Sequence, residues 1–305
     1  MATAIVFPGQ GSQTPGAGRP WLDHPAWQIV EQAEADTGLA LAHLLLDADA
    51  DELADTRSSQ LSVLLTSLVT WEAVRPTLPS HSRVGFAGHS LGQITALIAA
   101  GVVTLSDGLR LAVARAEASA TCQAAHPGAM LALLGADEAQ ATEACTAAPN
   151  AAWVANINGA GQVVVGGRPD VLEAVAERAE AVGVRRTRRL AVDGAFHTPL
   201  MAEAANLLAP TLDQLTFAAP TAPVVTNHDA HAVDTAEGWP NRLTAHLVSP
   251  VRWADVVATL VGLGADTFVE VGPGTVLTGL TKRLAPAATT RAVSTPAHLP
   301  VGATS

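Results

Sequence analysis

Arg83-Val84-Gly85-Phe86-Ala87-Gly88-His89-Ser90-Leu91-Gly92 is the stretch on which the reading of the chain turns. Its first six residues read as a buried strand, and Leu91 through Ala100 as a helix of small and apolar residues closed by Gly101. At the junction, Gly88-His89-Ser90-Leu91-Gly92 fits G-x-S-x-G with a strand before it and a helix after it. The two glycines permit a turn too tight for larger side chains, so the serine hydroxyl projects from it. The helix N-terminus behind offers N–H groups and a partial positive charge to a developing oxyanion. An ordinary Gly/Ser turn is the plain alternative. The strand-turn-helix setting favours Ser90 as a nucleophile on an α/β fold.

Outward from that turn, Thr3 to Phe7 reads as a second buried strand, running into the Gly-rich loop Pro8-Gly9-Gln10-Gly11-Ser12-Gln13. Gln60 to Val74 has helical length and places Leu61, Leu64, Leu65, Leu68 and Val69 on a helical period, with Pro76 as the stop. A further helix is expected over about Leu105 to Ala120. From His126-Pro127-Gly128 onward the spacing predicts strand 129–134, helix 137–147, strand 152–157, strand 162–165, helix 169–182 and strand 184–192. That β-α-β-β-α-β order is ferredoxin-like. It predicts a small subdomain over 128–193, inserted into a catalytic domain made of 1–127 and 194–284. The catalytic domain resumes with a helix after His197, a strand over 223–226, helical segments between 238 and 263, a strand at 267–271 and a helix from Thr275. Residues 285–305, rich in Ala, Thr and Pro, read as a weakly structured tail.

The 305 residues are 49% hydrophobic and 15% charged, enough to bury a substantial core. There is no apolar run of membrane-spanning length and no export signal at the N-terminus. Two cysteines, Cys122 and Cys145, have neither disulfide nor metal spacing, so a cytoplasmic protein is expected. The formal net charge of -11 argues against nucleic acid as partner. Against it stand Arg185, Arg186, Arg188 and Arg189, with Lys282 and Arg283 farther along. They are either a local docking patch or a solvated strand and helix end.

A serine at its ordinary pKa needs a base within hydrogen-bond reach, and histidine is the usual one. Ten histidines compete. His89 adjoins the serine but should point elsewhere from such a turn. His197, in Gly194-Ala195-Phe196-His197-Thr198-Pro199, follows a strand and opens a helix, as suits a residue presented over a site from a loop. Pattern alone does not choose it.

Taken together, the motifs resemble the malonyl-CoA:acyl-carrier-protein transacylases, the acyltransferases of fatty acid and polyketide synthesis. The resemblance runs nearly end to end. It is carried by Phe7-Pro8-Gly9-Gln10-Gly11-Ser12-Gln13, Gly88-His89-Ser90-Leu91-Gly92, Arg115, Ala155-Asn156-Ile157-Asn158 with Gly161-Gln162, Gly194-Ala195-Phe196-His197, Pro250-Val251-Arg252-Trp253 and Glu270-Val271-Gly272-Pro273-Gly274. It implies an α/β-hydrolase-like core with a mostly parallel sheet and an inserted ferredoxin-like subdomain. It further implies Ser90 as nucleophile, His197 as its base, and an oxyanion hole from the N–H groups of Gln10 and Leu91. Arg115 falls where the family binds the malonyl carboxylate; a guanidinium fork suits that task. Gln60, Phe196 and Asn156 fall at pocket positions, although a helix-surface glutamine is an equal reading of Gln60. Phe196 resembles the malonyl-type version of its segment, since a bulky ring leaves less room for a 2-methyl branch.

Several positions depart from the family pattern. Gln93 stands where many relatives have Glu, and Ala116 and Ser119 stand where glycine and methionine are usual. His246 replaces a glutamine whose carbonyl orients the catalytic histidine, a backbone role that survives substitution. Asp193 and Glu270 are weaker candidates for a third acid than that carbonyl. The implied reaction is ping-pong transfer of malonyl from malonyl-CoA to the phosphopantetheine thiol of an acyl carrier protein, with no cofactor or metal and with a monomeric enzyme. Rivals are an esterase or thioesterase, a discrete polyketide acyltransferase or malonate decarboxylase subunit, and a silent carrier-binding module. The last should have lost Ser90 or His197. Carrier proteins are generally acidic, so the arginine cluster and Lys282-Arg283 are the expected docking face.

Overall fold

The computed structural model describes residues 1–159 and 161–299. In chain order the first half comprises β1 (Thr3–Phe7), α1 (Gln28–Thr37), α2 (Leu41–Leu46), α3 (Thr56–Val74), β2 (Arg83–Gly88), α4 (Gly92–Ala99) and α5 (Leu105–Ala125). Next come β3 (Ala129–Leu134), α6 (Glu138–Cys145), β4 (Ala152–Gly159), β5 (Gln162–Gly167), α7 (Leu172–Ala181) and β6 (Arg186–Arg189). The chain closes with α8 (Ala202–Leu212), β7 (Val224–Val225), β8 (Ala232–Val233), α9 (Trp239–Val248), α10 (Trp253–Gly262), β9 (Thr267–Val271), α11 (Val276–Leu284) and β10 (Thr289–Val293).

Strand β1 is buried along its whole length because it has parallel neighbours on both edges and helices on both faces. Ile5 and Phe7 point into one cluster with Leu64 and Val69 of α3 and Leu97 of α4. Ala4 and Val6 point into another with Val256 and Leu260 of α10 and Leu277 of α11. The period of two thus divides one apolar run between two cores. The sheet order is β10-β9-β1-β2-β7-β8, parallel throughout except for the β7–β8 pair. Between that sheet and α5 runs α3, buried on nearly every side, as a helix without a polar face must be.

The second sheet, β4-β5-β3-β6, is antiparallel throughout. Alternation again assigns its faces: Leu131, Leu133 and Val165 pack on α6 and α7, whereas Met130, Ala132 and Val164 face the opposite way. The molecule is therefore an α/β protein with one mostly parallel sheet and one antiparallel sheet. No helix among the described residues is long and apolar enough to cross a membrane.

The expected weakly structured tail is corrected in part. Thr289–Val293 forms β10, pairing in parallel with β9 as an edge strand. Its burial is only partial, and so its alternation was too faint to separate from a polar segment. Pro296–His298 adds a single 3-10 turn after it, and residues 300–305 of that expected tail lie outside the described residues. Helices α1 and α2 also escaped the sequence reading; each is short and buries only two or three residues against the core.

Candidate active site

The turn between β2 and α4 is packed as closely as its glycines allow. A Cβ on Gly88 would fall on the backbone of Gly92, and one on Gly92 would fall on the Phe7 carbonyl. The Gly-rich loop after β1 is thereby held against the turn that carries Ser90. Ser90 itself has φ of 52°, a left-handed conformation that L residues resist. Four non-glycine residues among those described have positive φ, and His197, at 60°, is one of the other three. Such conformations cost on the order of 1–3 kcal/mol each and persist where surroundings over-determine them.

The two strained residues meet. Ser90 Oγ lies 2.7 Å from His197 Nε2, and His197 Nδ1 lies 2.9 Å from the His246 carbonyl oxygen. A carbonyl only accepts, so Nδ1 carries the proton and Nε2 is left to accept from the serine hydroxyl. His246 is buried, with its ring stacked on that of His197 at 4.9 Å between centroids. Burial, aided by the Arg115 charge, holds the His197 imidazole down to about 3, and so it stands neutral as a proton acceptor. Neither of the weaker candidates for a third acid joins it. Asp193 is exposed, and Glu270 is buried with its carboxylate accepting the Leu277 and Thr278 N–H groups at 3.1 and 2.7 Å. Glu270 caps α11 instead.

Arg115 reaches the same point from α5. Its guanidinium donates to Gln60 Oε1 at 2.7 Å and to Ser90 Oγ at 3.2 Å, and burial pulls it down to about 10, still charged at neutral pH. No carboxylate lies within ion-pair distance of it among the described residues. A buried cation beside a hydroxyl, with no anion of its own, is costly to maintain unless a ligand supplies the anion. Gln60 is not a surface residue. It is buried on α3, behind the guanidinium, and its amide also reaches Gln10 Oε1 at 3.4 Å.

These groups open into a cleft of about 500 Å³ between the two sheets. Gln10 and its loop form one wall, Met130, Val164, Asn156 and Phe196 another, and the first turns of α11 a third. The Leu91 and Gln10 N–H groups make no internal hydrogen bond among the described residues. His89 turns aside as expected: its ring bonds Asn158 Oδ1 at 2.9 Å and rests on Trp253. Arg185, Arg186, Arg188 and Arg189 are exposed on and just before β6, the free edge of the antiparallel sheet. Lys282 and Arg283 are exposed on the last turn of α11. Neither group touches Ser90, but Leu190 to Val192, directly after β6, and Val276, Leu277 and Leu280 of α11 line the cleft.

The departures are explicable in part. Gln93 is buried, and its Oε1 accepts the Asn227 N–H at 3.0 Å while its Nε2 has no partner among the described residues. An unmatched buried donor costs about 1–3 kcal/mol. Ala116 and Ser119 are buried on α5, with the Ser119 hydroxyl likewise unpartnered among the described residues. Asn227 was missed altogether; nothing local in the sequence marks it, because its partners Gly88 and Ser90 lie more than a hundred residues away. No group of three or more His, Cys, Asp or Glu residues is placed to hold a metal among the described residues.

The chain matches the acyl transferase domain family over residues 4–295. It is 36% identical over 306 aligned residues to the malonyl CoA-acyl carrier protein transacylase of Escherichia coli K12, covering 97% of each chain. Among solved structures it is similar to the malonyl-CoA:acyl carrier protein transacylase of Xanthomonas oryzae pv. oryzae, with a TM-score of 0.91 and 35% identity over 97% of this chain and 96% of that one. It is also similar to a malonyl-transacylase in complex with its type II PKS acyl-carrier protein, with a TM-score of 0.90 and 33% identity over 98% and 97% of the two chains. Sequence and structure agree across nearly the whole length, and the chain belongs to the malonyl CoA-acyl carrier protein transacylase family within the acyl transferase domains.

Proposed function

We propose that this protein moves a malonyl group from malonyl-CoA to the phosphopantetheine thiol of an acyl carrier protein through an acyl-enzyme on Ser90. The observation that carries the reading is Arg115: a buried guanidinium with no carboxylate partner among the described residues, 3.2 Å from the Ser90 hydroxyl. The free carboxylate of malonyl would supply the missing anion and set the thioester carbon next to Oγ.

Ser90 Oγ attacks that carbon as its proton passes to His197 Nε2, and the negative oxygen is received by the N–H groups of Leu91 and Gln10. Collapse breaks the C–S bond; the CoA sulfur leaves with the proton held by His197. In the second half the carrier's thiol gives its proton to His197 and attacks the ester. The C–O bond breaks and Ser90 regains its proton. His246 orients the base through its carbonyl, Gln60 steadies Arg115, and Phe196 and Asn156 shape the acyl end of the cleft. The reading needs no cofactor beyond the thioester donor and the carrier's phosphopantetheine thiol.

The carrier approaches, in this reading, along Arg185, Arg186, Arg188, Arg189, Lys282 and Arg283, which flank the cleft on two elements. Opposite charge on an acidic carrier supports it. Residues 1–127 and 194–284, extended by β10, make up the α/β-hydrolase-like catalytic domain and 128–193 the ferredoxin-like one, supported by the β4-β5-β3-β6 order with its two helices on one face. A monomer in the cytoplasm completes the picture. Fatty acid synthesis is the pathway favoured; the similar carrier complex makes polyketide synthesis the second reading.

Intact-mass detection of the acyl-enzyme tests this. Wild type should gain a malonyl adduct from malonyl-CoA and less from methylmalonyl- or acetyl-CoA, and Ser90→Ala should gain none. An adduct persisting on the alanine variant, or one lost to water as fast as to a carrier thiol, would overturn the proposal.

A further inference from the structure

Asn227 follows β7 and is fully buried. Its side chain reaches both flanks of the turn that carries the nucleophile: Oδ1 accepts the Ser90 N–H at 2.8 Å, and Nδ2 donates to the Gly88 carbonyl at 2.8 Å. Its main chain is fixed as firmly. The Asn227 N–H donates to Gln93 Oε1 at 3.0 Å, and the Asn227 carbonyl accepts the Arg252 N–H at 2.8 Å. Next to Arg252, Val251 is bonded both ways to β4, donating to the Ala155 carbonyl at 2.9 Å and accepting the Ile157 N–H at 2.8 Å. Asn227 is the joint where a strut from the antiparallel sheet reaches the serine.

We propose that Asn227 is a positioning residue for the reaction, one that holds Ser90 in its left-handed conformation and, by occupying the Ser90 N–H, leaves the oxyanion to Leu91 and Gln10. The turn presents a carbonyl on one side and an N–H on the other, and a carboxamide answers both at once with no net charge. Without it, two buried backbone groups lose their partners and the strained φ of Ser90 is free to relax. With it, the hydroxyl is aimed at His197 Nε2 before substrate arrives. Gln93 belongs to the same device at one remove, since its carbonyl end anchors the asparagine backbone.

This inference rests on Ser90 being the residue that is acylated, and the test separates the two ideas. Ser90 labelling by a serine-directed phosphonofluoridate and pre-steady-state CoA release from malonyl-CoA would be measured on the full chain, wild type against Asn227→Ala and Asn227→Asp, at pH 8 and pH 5.5. The alanine variant should acylate about 10²-fold more slowly, with KM for malonyl-CoA within about threefold of wild type, as misplacement of a reacting group implies. The aspartate variant should be as slow at pH 8. At pH 5.5, relative to wild type at the same pH, it should recover by about tenfold or more. A protonated carboxyl again accepts with one oxygen and donates from the other. A residue that merely fills space gives deficits that do not change with pH. Labelling of Asn227→Ala within threefold of wild type, or an aspartate deficit constant across pH, overturns the proposal. Should the alanine variant not fold, the aspartate comparison decides alone. A wild type that labels with phosphonofluoridate yet forms no malonyl adduct counts against the functional reading only.

Discussion

At the end of β2 the backbone is packed so tightly that a single methyl group on Gly88 would overlap Gly92, while on and just before β6 four arginines stand in solvent along a free sheet edge. Both regions border the same cleft. The first tolerates nothing: on the proposed mechanism the position of one oxygen relative to His197, Leu91 and Gln10 decides the rate, and geometry at that scale is kept by close packing. The second needs only charge of the right sign near the mouth, which several interchangeable side chains supply. Damage at the turn should therefore appear in the chemical step, and damage at the edge in the encounter with a partner.

The largest effect follows from breaking the turn. Gly88→Ala should lower acyl-enzyme formation on the order of 10³-fold, the scale of losing an oxyanion donor, and stopped-flow CoA release would report it. A variant that acylated at wild-type speed would show that the turn has slack the packing denies.

Next in size is Arg115→Ala. Malonyl transfer onto Ser90 should fall about 10²- to 10³-fold, the usual cost of leaving a buried charge without its partner, while acylation by acetyl-CoA should change by no more than about threefold. The same variant has a pH signature. His197 is held low first by burial and then by the Arg115 charge, so removing that charge raises its pKa. The acid limb of phosphonofluoridate labelling should move to higher pH. An unmoved limb would mean that Arg115 does not act on the base.

Smaller, and global, is the acid cost of burying neutral histidines. His197, at about 3 in the folded protein against an ordinary 6.5, takes up its proton more readily when unfolded. Stability is then full above about pH 6.5 and is lost as pH falls toward 3. At pH 5 that amounts to about 2 kcal/mol from this one residue. Burial lowers His89 and His246 too, with the same sign. Urea denaturation at pH 7.5 and pH 5 should show the loss, and His197→Gln should reduce the difference.

The same contrast governs what the sequence disclosed. Ser90 was legible because its constraint is local: two glycines, a strand and a helix within ten residues. The order of elements in the antiparallel sheet was legible for a similar reason, through short apolar runs such as 129–134 and 162–165 set off by turn residues. His197 was one of ten until family resemblance singled it out, since its strain and its bond to the His246 carbonyl join segments 49 residues apart. Asn227 gave no signal, because what makes it matter is contact across 137 residues. Gln60 was read equally well as surface; only the arrival of Arg115 from α5 explains why a glutamine is buried there. Local demands leave local patterns, and demands met across the fold leave none.

The edge strand supplies the mildest test and the one that isolates partner from chemistry. β6 pairs with β3 on one side only, so its arginines also serve to keep the open edge from pairing with another strand. Substituting Arg188→Glu and Arg189→Glu together preserves charge on the edge but reverses its sign. If the cluster guides an acidic carrier, KM for the carrier should rise about tenfold and the effect should fade as salt rises above physiological strength, while the burst of CoA release from malonyl-CoA stays at the wild-type rate. If the arginines only protect the edge, glutamates protect it equally well, and carrier kinetics should not change at any ionic strength.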